Sequence, residues 1–215
     1  MSNETNNGGT PARTMDPKSC ITPKFRVSFP AVFEPKLPPG KTADTDKKYS
    51  ITMLYQVEGP EAVDLSPLKN AVKAAIAEKF GADETKWPRG KDGKLTFKLP
   101  FRDRKEKDYE GYGEGIVFCT APSKHDRKPG LIFGNKEPII NPNDFYGGCY
   151  ARAKVNAYWF DAGVNKGVAI GLQNIQKWAD GEPFSGKTKP ENDFDAIPEP
   201  GAPKTAEAAA KDPLF

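Results

Sequence analysis

Tyr146-Gly147-Gly148-Cys149-Tyr150-Ala151-Arg152-Ala153-Lys154-Val155-Asn156-Ala157-Tyr158-Trp159-Phe160 is the stretch whose periodicity decides the fold. From Cys149 onward it splits by alternation. Cys149, Ala151, Ala153, Val155, Ala157 and Trp159 are small or apolar, while Tyr150, Arg152, Lys154, Asn156, Tyr158 and Phe160 are aromatic, cationic or amide-bearing. Successive strand side chains point to opposite faces, so one row is buried and the other presented. The presented row sets rings between cations and carries no carboxylate, which suits flat bases on an anionic backbone. An edge strand whose outer face only meets water fits this stretch equally well.

Outward from this strand, the chain predicts a mainly β domain. Lys24 to Phe33 alternates Phe25, Val27 and Phe29 with Lys24, Arg26 and Ser28, and Pro30 predicts a bend or bulge. Lys48 to Gln56 alternates Tyr49, Ile51, Met53 and Tyr55 with polar residues. Ser66-Pro67 opens one amphipathic helix, with Ser66 as the expected cap, Leu68, Val72, Ala75, Ile76 and Phe80 inward, and Gly81 closing it. Further strands are expected through Leu95, Phe97 and Leu99, through Ile116 to Ala121, and through Val168, Ile170 and Leu172. Short strands, Gly/Pro turns and a single helix predict a five-stranded OB-type Greek-key barrel, with a β-sandwich as the alternative. Gly111, Gly147, Gly148, Gly167 and Gly171 are candidates for its bends.

Composition divides the 215 residues into parts. Only 37% are hydrophobic, and Gly and Pro supply 20 and 21 residues. That predicts a disordered segment over 1–20, a folded domain over 21–189 and a flexible tail over 190–215. The net charge of +3 conceals an asymmetry. From Pro190 onward six acids face two bases, so the tail carries −4 and residues 1–189 carry +7. A basic body with an acidic tail points to a polyanionic partner. Cys20, Cys119 and Cys149 are too scattered for a metal site and read as reduced, buried thiols of a cytoplasmic protein. The polar start and the lack of a long apolar run predict neither a signal peptide nor a membrane span.

Nothing in the chain assembles catalytic chemistry. His125 stands in a basic loop without a nucleophile, and the Gly111–Gly115 segment lacks the Lys-Ser/Thr of a phosphate-binding loop. No cofactor is expected. Three places combine cations with rings: Arg102 to Tyr112, Lys124 to Lys128 with Phe133 beyond, and Tyr150 to Tyr158. The expected contacts are Tyr150 and Tyr158 on bases and Arg152 and Lys154 on phosphates. Arg102, Arg104, Lys105, Lys107, Tyr109 and Tyr112 assist them, although Tyr109 and Tyr112 equally suit a core. In the tail, Asp212, Leu214 and Phe215 form an acidic, apolar-tipped end. Such an end can compete with a polyanion for the basic body or dock on another protein.

Short motifs along residues 22–184 resemble the single-stranded-DNA-binding proteins of tailed bacteriophages, of the OB-fold replicative type found in enterobacterial phages. They are Thr22-Pro23-Lys24-Phe25-Arg26-Val27-Ser28-Phe29-Pro30, Pro100-Phe101-Arg102-Asp103, Tyr109-Glu110-Gly111-Tyr112, Phe145-Tyr146-Gly147-Gly148-Cys149-Tyr150 and Lys166-Gly167-Val168-Ala169-Ile170-Gly171-Leu172-Gln173-Asn174. The resemblance implies a non-enzymatic protein that coats single strands in replication and recombination within the host cytoplasm. It also implies a tail that recruits phage or host replication proteins. Weak duplex binding fits the basic body. A protein-interaction barrel and a nucleic-acid enzyme with an unrecognised site are the alternatives.

Overall fold

The computed structural model describes residues 16–104 and 109–184. Lys105, Lys107, the first 15 residues and the tail with Asp212, Leu214 and Phe215 lie outside the described residues. The elements run β1 (Ser19–Ile21), β2 (Phe25–Lys36), β3 (Lys48–Gln56), α1 (Ser66–Phe80), β4 (Arg102–Asp103), β5 (Ile116–Lys124), β6 (Gly130–Ile132), β7 (Tyr150–Ala162) and β8 (Asn165–Ala179). β1 takes in Ser19 and Cys20, ahead of the expected start at Ile21.

All eight strands join one sheet in the order β4-β5-β3-β2-β7-β8-β6, with β1 added on β7. Among the described strands, only β6 and β8 pair in parallel. The opening stretch obeys its alternation. Ala151, Ala153, Val155 and Ala157 are buried, while Arg152, Lys154, Asn156 and Tyr158 reach solvent in part or fully. Small residues on the inner row leave room for α1, which packs against β1, β7 and β8. From it Leu68, Ala71, Val72, Ala75 and Ile76 enter the core. Leu68 and Ile76 are fully enclosed, a burial worth about 1.5–3 kcal/mol each. Phe80 continues the stripe into a cluster with Phe97 and Trp159, ring centroids 5.1 to 5.6 Å apart. Trp159 therefore belongs to the core side, as the alternation predicts.

Among the described residues the sheet holds eight strands, β1, β4 and β6 being added to the path β5-β3-β2-β7-β8. Three expectations are corrected. Ser66 does not cap α1; it is the first helical residue, and its own N–H donates to Asp64 Oδ1 at 2.8 Å. The Ser66 side chain and then this N–H hold the Asp64 carboxyl below the usual range. The Leu95–Leu99 segment is no strand. It touches its neighbours through single bridges, Arg89 to Leu95 and Lys98 to Gly167, before Pro100 removes the next backbone donor. Phe97 is buried but Leu99 is exposed. Finally, Phe29 leaves the apolar row of β2. The bulge expected at Pro30 includes it and turns its ring outward.

Candidate nucleic-acid interface

The outward side chains of β7 follow one another toward an open groove. Its other wall comes from the start of β3 and the end of β5. Lys48, Lys124, Arg127 and Lys128 supply the cations, and Asn156, Tyr158, Gln173 and Asn174 supply a ring and three amides. Among the described residues, the lining holds no carboxylate. The loop after β5 is held in place by Ser123, whose hydroxyl donates to the Arg127 carbonyl at 2.7 Å.

Tyr158 is 39% exposed and lies beside Gly171 of β8. A Cβ at Gly171 would come within 3.4 Å of the ring and 2.8 Å of Asn156 Oδ1, so glycine lets both side chains lie low across β8. Burial pushes the Tyr158 phenol up, keeping it neutral. Further along, Arg152 donates from Nε to Gln176 Oε1 at 2.8 Å and lies over the Trp178 ring, 5.5 Å from its centroid. Trp178 is 57% exposed and extends the presented face. Lys154 stands opposite Asn174 in the ladder. Asn174 in turn accepts the Gly130 N–H at 3.2 Å, tying β6 to the groove wall.

Tyr150 is in a different setting. Lys24 Nζ stands 5.2 Å and the Arg26 guanidinium 6.0 Å from its ring centroid. Arg26 also donates to the carbonyls of Gly148 and Glu182 and lies 4.3 Å from the Phe184 ring centroid. Tyr158 is eight steps along the strand from Tyr150, roughly 26 Å at about 3.3 Å per step, so the two rings cannot serve adjacent bases.

The remaining expected contacts are dispersed. Arg102 lies on β4, which β5, β3 and β2 separate from β7 in the sheet order. Arg104 pairs with Glu114 at 3.6 Å. Tyr109 is exposed, but Tyr112 is not the contact residue expected of it. It is buried with Leu54 and Phe118, its hydroxyl 3.2 Å from Ser28 Oγ. The fold thus brings Lys124, Arg127 and Lys128 of the second segment together with Asn156 and Tyr158 of the third, and leaves Phe133, Tyr150 and the first segment elsewhere. Lys48, Gln173, Asn174 and Trp178 escaped the sequence reading. Alternation hid Trp178: it shares the parity of the buried Val168, Ile170 and Leu172, and a register shift between Leu172 and Asn174 turns it outward. All three cysteines are free and buried, and burial pushes the Cys119 thiol up to about 12. Among the described residues, no group of three or more His, Cys, Asp or Glu side chains is placed to hold a metal ion.

The described residues thus form a mainly β domain that presents a groove of cations, amides and a ring with no carboxylate in its lining. The family model described as Enterobacter phage Enc34, ssDNA-binding protein, matches residues 18–206, and the chain belongs to that family. A relative, protein p50 of Acyrthosiphon pisum secondary endosymbiont phage 1, is 29% identical over 162 residues, covering 75% of this chain and 83% of p50. The single-stranded DNA-binding protein from bacteriophage Enc34, solved in complex with ssDNA, superposes with a TM-score of 0.57 at 19% identity, covering 78% of this chain and 90% of that one. The single-stranded DNA-binding protein gp2.5 encoded by bacteriophage T7 gives 0.50 at 11% identity, covering 80% and 97%. At these identities the two solved structures establish a shared fold.

Proposed function

We propose that the chain binds single-stranded DNA with little sequence preference and protects it during phage replication and recombination in the host cytoplasm, without catalysing a reaction. The observation that carries this reading is the acid-free groove walled by Lys48, Lys124, Arg127, Lys128 and Tyr158, in a member of the Enc34 family. The cations neutralise phosphates, and stacking on Tyr158 accepts any base because every base has a π-face. Arg152, Lys154 and Trp178 continue the track along β7 and β8. We read the five strands β5-β3-β2-β7-β8 as an OB-type Greek-key barrel. Strand order and the packing of β5 against β8 support this. The acidic tail competes with DNA for the basic body, and its Asp212, Leu214 and Phe215 end recruits replication proteins.

Anisotropy titrations with labelled single-stranded DNA, duplex DNA and RNA, with and without Mg²⁺, test the proposal. Single-stranded DNA is expected to bind tightest and to remain intact. Replacing Lys124, Arg127 and Lys128 by Ala together should weaken binding and flatten the log–log salt slope by about 2, from about 0.7 per phosphate contact on single strands. An unchanged slope removes the groove assignment. Mg²⁺-dependent degradation would make the chain an enzyme, and absence of any binding would favour a protein-interaction barrel.

A further inference from the structure

The sharpest departure of the chain from its own alternation is at Phe29. Phe25 and Val27 are buried, and Phe29 is next in that row, yet it is 58% exposed with φ at +45°. The ladder to β3 pairs Ser28 with Thr52 and then Ala31 with Ser50, so Phe29 and Pro30 together oppose Ile51 alone. Such a bulge re-aims one side chain and leaves its neighbours packed. Ser28 stays buried under Tyr112. A bulky residue in the left-handed region is strained, and a phenyl ring in water is a second cost. The fold bears both costs at one residue and gains no burial there.

What the bulge achieves is a supported ring. Phe29 meets Tyr109 edge-on, centroids 5.2 Å apart at 76°, and Tyr109 meets the buried Tyr112 at 5.9 Å. The ladders link this pair to the groove. Ser50 and the buried Thr52 stand beside the bulge, Pro122 and the exposed Thr120 face them from β5, and Lys48 opposite Lys124 opens the groove. None of these is a carboxylate. A single strand leaving the groove along the outer face of β3 and β5 therefore runs toward Phe29 over neutral and cationic ground.

We infer that Phe29, backed by Tyr109, is a second base-stacking platform for the strand held in the groove. This rests on the single-strand reading above, and it assigns the bulge a purpose that packing does not give it. Glycine at position 29 relieves the positive φ, so F29G should melt at or above the wild-type temperature. Its affinity for a run of about 16 thymidines should nevertheless fall on the order of tenfold, with the salt slope unchanged, because stacking releases no counterions. Phe29→Leu should keep the bulge and lose affinity similarly, and Phe29→Tyr should retain it. A run of about 4 thymidines, which fills only the groove, should bind all variants alike. Wild-type affinity in F29G and Phe29→Leu, or a loss that changes the slope, would overturn the inference. Wild-type protein that bound no oligonucleotide would instead sink the function on which the inference rests.

Discussion

Tyr158 and Trp178 present rings on the same outer face, but the support beneath them differs. Tyr158 is sunk beside the bare backbone of Gly171, whereas Trp178 is held mainly by the Arg152 guanidinium. A ring fixed from below loses little freedom on stacking, so Tyr158 should contribute more per base than its modest exposure suggests. Replacing it by Ala should cost about 1–3 kcal/mol of single-strand affinity without altering the salt slope, and Tyr158→Phe should be close to neutral. Competition binding at two salt concentrations reads both quantities. A Tyr158→Ala variant with wild-type affinity would place the bases elsewhere. The cations answer differently: Arg152→Ala removes a charge and also the support of Trp178, so slope and affinity should both fall.

Among the elements, the segment after β8 acts as a clasp. Tyr146 donates its hydroxyl to Asp180 Oδ1 at 2.9 Å, the nearly buried Lys177 donates to Asp180 and to the Asp144 carbonyl, and the Phe184 N–H donates to the Gly147 carbonyl. Gly148 makes this crossing possible, with φ at +111° and its backbone directly against the Glu182 carbonyl. Gly148→Ala should therefore lower stability by at least about 1–3 kcal/mol through strain, before counting the collision. Chemical denaturation measures it, and an unchanged midpoint would show that the crossing is loose. This clasp was not legible in the sequence, because all its contacts but Lys177 to Asp180 join residues more than thirty positions apart. β7 was legible for the opposite reason: its inner row is covered, so alternation and burial must agree. The Leu95–Leu99 segment alternates equally well but has single bridges in place of a ladder, so periodicity alone misreads it. Phe29 misled because a bulge moves the row by one residue. Lys124 to Lys128 could be recognised as a basic loop, but its union with Tyr158 needs the approach of β5 to β8, which no local pattern encodes.

Charge along the chain sets the last expectation. The first 189 residues carry +7 and the last 26 carry −4, and the proposed competition of the tail with a polyanion rests on that asymmetry. In that proposal a covalent link would give the tail a high effective concentration, and salt would weaken any attraction it has to the body. Removing residues 191–215 should therefore tighten single-strand binding at low salt and bring weak duplex binding into range. The advantage over the full chain should shrink as salt rises, because the tail and the DNA are screened together. Paired titrations of the full and shortened chains across a salt series test this in one experiment. Coincident affinities at low salt would leave the tail no role in competition. A constant advantage at every salt would mean that the tail acts through its apolar Leu214-Phe215 tip rather than through its charge.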